Sequence, residues 1–278
     1  MYIDNYMIYL STIKNRSDKT IKEYERDINE FLSYVNKDIK NIDINDGRKF
    51  LVYCSDNGNT PKTRARKVSA IRGFFTYLAR EKGIDSNIVG LEKPKLEKTL
   101  PKYLTIDESR ELLAISNVGE NKERNYLIIS LFLNCGLRLS ELANIKVRDI
   151  KDNSLVVYGK GSKERMVFLN DSVMVALVNY LKVRECDNEY LFVSNRGMKL
   201  GTEGISQMVK SNLQKIGKGD LSTHKLRHSC ATMFYENGID ILTIKEILGH
   251  ESVATTQIYT HIQNEQVKNA MFSSPLIA

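Results

Sequence analysis

The sequence predicts a mainly α protein of two domains, the second carrying a small antiparallel sheet in an α+β arrangement. Three observations lead there. Apolar residues recur at helical spacing through nearly all of residues 1–90. The stretch 91–102, L-E-K-P-K-L-E-K-T-L-P-K, holds two of the chain's four prolines and four lysines, and reads as an extended linker. Two short β-prone runs, S-L-V-V-Y (154–158) and R-M-V-F-L (165–169), flank G-K-G-S-K-E and read as a hairpin. The expected division is a domain over 1–90, a linker over 91–102 and a domain over 103–278. A length of 278 residues suits two domains.

Taken in order, Tyr2 to Ile13 is apolar at helical spacing. Ser17 then suits an N-cap, and Ile21, Tyr24, Ile28, Phe31, Leu32 and Val35 form one apolar stripe. A third helix is expected over 45–57, stopped at Asn57-Gly58. A fourth starts near Thr60-Pro61, where proline fits the first helical turn, and runs to about Arg80. Four helices with short connections make a compact bundle. In the second domain, Thr105 and Glu108 spell a capping box. A buried helix over Tyr126–Asn134 ends at Cys135-Gly136, and a new helix is expected with Ser140 as its cap. After the hairpin come helices at about 171–184 and 202–216, with a short strand near 190–193 between them. From Thr223 onward the reading is helical, broken at Asn237-Gly238 and Gly249.

Net charge is +7 and the pI about 9.0, which favours a polyanionic partner, nucleic acid before anionic membrane. No stretch approaches the ~20 apolar residues of a membrane span. The N-terminal M-Y-I-D-N-Y-M-I-Y-L has no basic region before an apolar run, so no secretory signal is expected. Cys54, Cys135, Cys186 and Cys230 are isolated, as expected of reduced thiols in a cytoplasmic protein.

The fourth helix concentrates the charge. Lys62, Arg64, Arg66, Lys67, Arg72, Arg80 and Lys82 stand there against the single acid Glu81. Val68, Ile71, Phe74, Phe75 and Leu78 keep helical spacing, so one face packs. A solvated charged face is the ordinary outcome. The near absence of acids points instead to a helix that tracks DNA phosphates, with Lys62, Arg64, Arg66 and Lys67 as the contacts.

All four histidines lie between His224 and His261. The runs H-K-L-R-H (224–228), L-G-H (248–250) and T-T-Q-I-Y-T-H (255–261) set His224, Arg227, His250 and Tyr259 close together in sequence. Arg138, His224 with Arg227, and His250 each fall at an expected helix start, where free N–H groups and the helix dipole suit a phosphate. Arginine adds permanently charged, bidentate donors. A histidine at a helix N-terminus is also pushed toward its neutral, base-competent form.

On these residues the chain resembles the tyrosine recombinases of the phage-integrase family, and most of all their short Xer-type bacterial branch. The family pattern of Arg, Lys, His-x-x-Arg, His and Tyr is matched in order. Arg138 stands in G-L-R-L-S-E-L, Lys160 in G-K-G-S-K-E-R, and His224 and Arg227 in H-K-L-R-H. His250 stands in L-G-H and Tyr259 in T-T-Q-I-Y-T-H. Glu141 matches the acid that follows the family's first arginine. The resemblance covers essentially the whole chain, and the basic helix falls in its core-binding segment. It implies a four-helix, SAM-like core-binding domain followed by a catalytic domain.

The resemblance also implies a reaction. Tyr259 is the nucleophile on a backbone phosphorus and leaves a 3′-phosphotyrosine. Arg138 and Arg227 bind the non-bridging oxygens, Lys160 protonates the leaving oxygen, His224 accepts the tyrosine proton and His250 donates to the phosphate. Glu141 supports them. No cofactor and no metal are implied, because lysine and arginine supply the positive charge. The implied partners are duplex DNA and three further protomers, either copies of this chain or of a paralogous recombinase, with an accessory activator in some systems and no membrane. Strand exchange would pass through a Holliday junction. The rivals are a type IB topoisomerase-like relaxation activity and a non-catalytic DNA-binding regulator. Chain length and the N-terminal segment disfavour the first, and a complete catalytic set disfavours the second.

Each assignment has a plainer reading. Tyr259 is one of 14 tyrosines, and a lone tyrosine on an amphipathic helix is usually structural. His224 and His228 have the i, i+4 spacing of a zinc pair, yet no H-E-x-x-H and no cysteine pair accompanies them. His228 and His261 are expected to pack or support. Lys163 competes with Lys160 as the acid. The apolar residues Met271, Phe272, Leu276 and Ile277 of the tail either cover their own core or dock on a neighbouring protomer.

Overall fold

The computed structural model describes residues 2–96, 102–158 and 164–249. Its contacts divide the chain into two compact units, Met1–Thr99 and Leu100–Ala278. Both are mainly helical, and the only described sheet is in the second.

The first unit has four helices, α1 (Tyr2–Thr12), α2 (Asp18–Val35), α3 (Ile44–Asp56) and α4 (Pro61–Lys82). Their ends are set by local chemistry. The Ser17 hydroxyl accepts the Thr20 N–H at 3.4 Å, and Thr60 accepts the Thr63 N–H at 3.2 Å. Such caps satisfy backbone donors that lack a helical partner. Asp43 and Asp46 form a reciprocal capping box at α3, which the sequence reading did not identify. Phe31, Phe50, Phe74 and Phe75 are fully buried at the centre. Phe31 meets Phe50 edge to face at 5.2 Å, the geometry favoured by ring quadrupoles. Gly73 lets α1 lie close to α4, because a Cβ there would sit 2.5 Å from the Tyr6 hydroxyl. Ile88 and Leu91 also belong to this core.

The second unit begins with α5 (Ile106–Ser116), whose Thr105–Glu108 capping box forms as predicted. Helix α6 (Lys122–Cys135) is buried continuously from Leu127 to Leu133 and forms the middle of the unit. It packs against α5, α8 (Asp171–Val183), α9 (Thr202–Lys215) and α10 (Thr223–Glu236). A burial that continuous explains the weak amphipathic pattern of its sequence. The remaining described α-helices of this unit are the short α7 (Leu139–Ala143) and α11 (Ile241–Leu248).

The sheet is antiparallel in the order β1 (Ile150–Lys151), β2 (Ser154–Tyr158), β3 (Glu164–Phe168). The predicted hairpin is β2–β3, with Val157 paired to Arg165 and Leu155 to Val167. The two-residue β1 was not anticipated. The expected strand at 190–193 is absent; Tyr190 and Val193 make only isolated bridges. Arg184 explains the difference, because its guanidinium binds the carbonyls of Cys186, Asn188, Tyr190 and Leu191 and occupies groups a ladder would need.

Cys54, Cys135 and Cys230 are buried and Cys186 is partly buried, all as free thiols. No described helix is long and apolar enough to cross a membrane.

Candidate active site

The site is organised around one buried carboxylate. Helix α6 ends at Gly136, whose φ of +58° turns the chain. A Cβ at Gly136 would come within 2.4 Å of Leu248 Cδ2, so the position also admits the end of α11. The chain then extends through Arg138 into α7. Arg138 is itself the N-cap, and Ser140 lies inside the helix, which corrects the sequence reading. Glu141, at the third helical position, accepts the Arg138 backbone N–H at 2.8 Å. The same carboxylate accepts the Arg138 guanidinium Nη1 at 2.5 Å. One side chain therefore caps the helix and aims the arginine.

Two more arginines meet Glu141. Arg165 Nη2 donates to Oε2 at 2.8 Å, and Arg227 Nη1 lies 3.9 Å from that oxygen. Arg227 also donates to the carbonyls of Gly136 and Leu248, and Arg138 Nη2 donates to the Gly249 carbonyl at 2.8 Å. The ends of α6 and α11, the start of α7, helix α10 and strand β3 are thereby tied together. Exposure separates the three cations. The Arg138 side chain is 38% exposed, that of Arg165 15% and that of Arg227 4%. Arg138 is the one that opens to solvent.

Burial sets the electrostatics. It pulls Arg227 down to about 10, helped by Arg138 and opposed by Glu141. Arg165 is lowered by burial first and by Arg138, with Glu141 again opposing. An arginine near 10 is still charged at neutral pH. Three guanidinium groups share one carboxylate, and this surplus of positive charge suits a phosphodiester.

His224 is exposed in the first turn of α10, and its Nε2 stands 3.1 Å from Nε2 of His228. The two rings meet edge to face at 4.6 Å. Burial, then His224, Lys225 and Arg227, push His228 down to about 4. His228 is therefore neutral at physiological pH and can share a single proton with His224. Among the described residues no group of three His, Cys, Asp or Glu is placed to hold a metal ion.

The structure thus brings together Arg138, Glu141 and Arg227, with His224 on the same helix as Arg227. Lys160, its competitor Lys163, His250 with the helix start expected after it, and Tyr259 lie outside the described residues, as do His261 and the tail. Arg165 was missed. Its signal was present in E-R-M-V-F, where alternation turns 165 and 167 inward, and an arginine at an inward strand position is unusual.

The basic helix needs a correction. Lys67 is buried and bound to Glu30, with Asp27 at 3.6 Å. Arg66 donates to Asp27 at 2.5 Å and lies 3.6 Å from Glu23. The acids absent from α4 are supplied by α2. Lys67 is withdrawn from any phosphate, and Arg66 is largely neutralised. Lys62 stays exposed and Arg64 partly exposed.

The phage integrase family profile matches residues 102–266, and that of the family's N-terminal SAM-like domain matches residues 3–82. The chain belongs to the phage integrase family. Among its relatives is a protein named tyrosine recombinase XerC from Caldanaerobacter subterraneus subsp. tengcongensis, 40% identical over 99% of this chain and 86% of the relative. Another is tyrosine recombinase XerD of Staphylococcus saprophyticus, 34% identical over 96% and 95% of the two chains. A solved structure, XerH site-specific recombinase bound to its difH substrate before cleavage, superposes with a TM-score of 0.74 at 26% identity, covering 94% and 81% of the two chains. The expected enzyme class, a tyrosine recombinase of the phage integrase family, stands with these findings, and so does the SAM-like fold of the first unit.

Proposed function

We propose that the protein recombines duplex DNA at specific sites, with Tyr259 as nucleophile and a Holliday junction as intermediate. The carrying observation is the arginine cluster on Glu141, open to solvent at Arg138. The Tyr259 hydroxyl attacks the scissile phosphorus, forming the P–O bond of a 3′-phosphotyrosine as the bond to the 5′-oxygen breaks. His224 takes the tyrosine proton and Lys160 gives one to the 5′-oxygen. Each such transfer is typically worth about 10²–10⁴ in rate. Arg138, Arg227 and His250 hold the non-bridging oxygens, and Glu141 orients Arg138. The phosphodiester energy is kept in the tyrosyl ester, so resealing needs no ATP. No metal enters this scheme, because arginine and lysine carry the charge.

Residues 1–90 would bind DNA beside the site, Lys62 and Arg64 being the basic residues of α4 left for phosphate. Residues 91–102 would link them to a catalytic domain over 103–278. Four protomers would assemble on cytoplasmic DNA, as identical copies or with a paralogous recombinase, with room for an accessory activator. The XerH–difH complex supports a DNA substrate, and relatives named XerC and XerD support the paired arrangement.

The test has two stages. Protein-linked fragments recovered from host DNA map the cleavage site, and a nicked suicide duplex built on that site then traps the covalent adduct on a denaturing gel. Tyr259→Phe should lose the adduct and keep DNA binding. An adduct that persists in that variant would remove Tyr259 from the mechanism.

A further inference from the structure

Arg165 belongs to none of the roles assigned above, yet it occupies the centre of the cluster. Its Nη2 holds Glu141 Oε2 at 2.8 Å while Arg138 holds Oε1 at 2.5 Å. Its Nε and Nη1 are buried and have no hydrogen-bond partner among the described residues. Its Cδ and Nε lie so close to Gly249 that a Cβ there would sit 2.9 Å from each. Buried guanidinium donors without acceptors are costly, and an apolar side chain would suit an inward strand position beside Cys135 and Cys230 better. A cation kept in such a place calls for a role that charge alone can fill.

We propose that Arg165 is a positioning residue for strand cleavage that acts through Glu141. This rests on the phosphoryl-transfer reading above. A carboxylate facing a single arginine closes on it in a two-pronged pair and cancels its charge. By holding Oε2, which also accepts the Arg138 backbone N–H, Arg165 prevents that closure. Glu141 then touches the Arg138 guanidinium through Oε1 alone, and the guanidinium donors used by neither Glu141 nor the Gly249 carbonyl are left for a phosphate oxygen. Arg165 also leaves the cluster with three cations for one carboxylate, a surplus that matches the charge gathering on phosphorus as the fifth oxygen arrives. Strand β3 starts at Glu164, immediately after the 159–163 connection that contains Lys160, so the same side chain anchors the strand next to the proposed acid.

The experiment measures single-turnover adduct formation on the mapped suicide duplex, with an ordinary phosphodiester or an uncharged methylphosphonate at the scissile position. Arg165→Ala should slow cleavage of the phosphodiester by about 10²-fold, the scale of losing one preorganised donor, and bind DNA within about twofold of the parent. On methylphosphonate the loss should shrink to less than about tenfold, because little charge remains to be stabilised. Combined with Glu141→Gln, it should add no further loss, because both act on one element. Equal losses on the two substrates, or losses that multiply in the double variant, would overturn the proposal. Should Arg165→Ala melt early, Arg165→Lys keeps a cation on the strand and the same substrate comparison decides. A parent protein that makes no adduct refutes the phosphoryl-transfer reading itself, whereas a parent that cleaves beside an unaffected Arg165→Ala refutes only the role of Arg165.

Discussion

Each unit contains a charge cluster built on a buried carboxylate, and the two are balanced in opposite ways. In the first, Arg66 and Lys67 face Asp27, Glu30 and Glu23. In the second, Arg138, Arg165 and Arg227 face Glu141 alone among the described residues. The first cluster cancels its cations and clamps α2 to α4. The second keeps a positive surplus at a spot where one arginine remains open. A buried arginine or lysine is therefore interpreted by its local ratio of charges, and the density of basic residues along one helix is a poor guide. Burial pushes the Asp27 carboxyl up, against the pull of Arg66 and Lys67.

The sharpest way to break the contrast is to remove the lone acid. Glu141→Leu leaves three cations uncompensated, Arg227 the most deeply buried of them, and urea unfolding of the variant should show a loss of about 3–5 kcal/mol. A change under about 1 kcal/mol would mean that the carbonyls of residues 136, 248 and 249 hold the arginines unaided. Asp27→Ala should cost less, about 1–3 kcal/mol, because Lys67 retains Glu30 and Arg66 retains Glu23. If it costs as much as Glu141→Leu, the two clusters do not differ as described.

Acid should separate the units next. His228 is held near 4 in the fold against 6.5 for an ordinary histidine. Between those values the unfolded chain binds more protons, so this histidine's contribution to stability is present above pH 6.5 and is lost as pH falls toward 4. Thermal melts of the parent and of His228→Gln over that range should converge on acidification. Parallel curves would remove His228 from the account.

The smallest effect discriminates best. Lys67→Met should cost about 1 kcal/mol, less than Asp27→Ala, because Asp27 keeps Arg66 and Glu30 is part-exposed to solvent. It should leave the salt dependence of DNA binding untouched. Reversing Lys62 and Arg64 together should lower the salt slope by about 2, near one unit per phosphate contact. A reduced slope in Lys67→Met would restore that lysine to the DNA face.

What was legible in the sequence was mostly local. Ser17, Thr60-Pro61 and Thr105 with Glu108 cap helices through bonds that span three residues. Gly136 and Gly249 end helices through their own backbone conformation. Arg138 and Arg227 were legible through their motifs. Partners distant in sequence were not. Nothing in α4 shows that Lys67 meets Glu30, 37 positions earlier. Arg165 likewise gains its meaning from Glu141, 24 positions away. Ser140 was expected to cap because serine usually does, whereas here the turn after Gly136 puts Arg138 in that place and Glu141 closes the box.

The bond from Arg138 to the Gly249 carbonyl spans 111 positions, and it has a consequence for synthesis. A ribosome delivers Arg138 long before Gly249, and domains fold as units when their segments are complete. A chain that ends between residues 227 and 248 therefore carries both arginines without the carbonyls of Leu248 and Gly249 that help to hold them. The arginine cluster is therefore completed only when residue 249 has been made and folded back onto the end of α6.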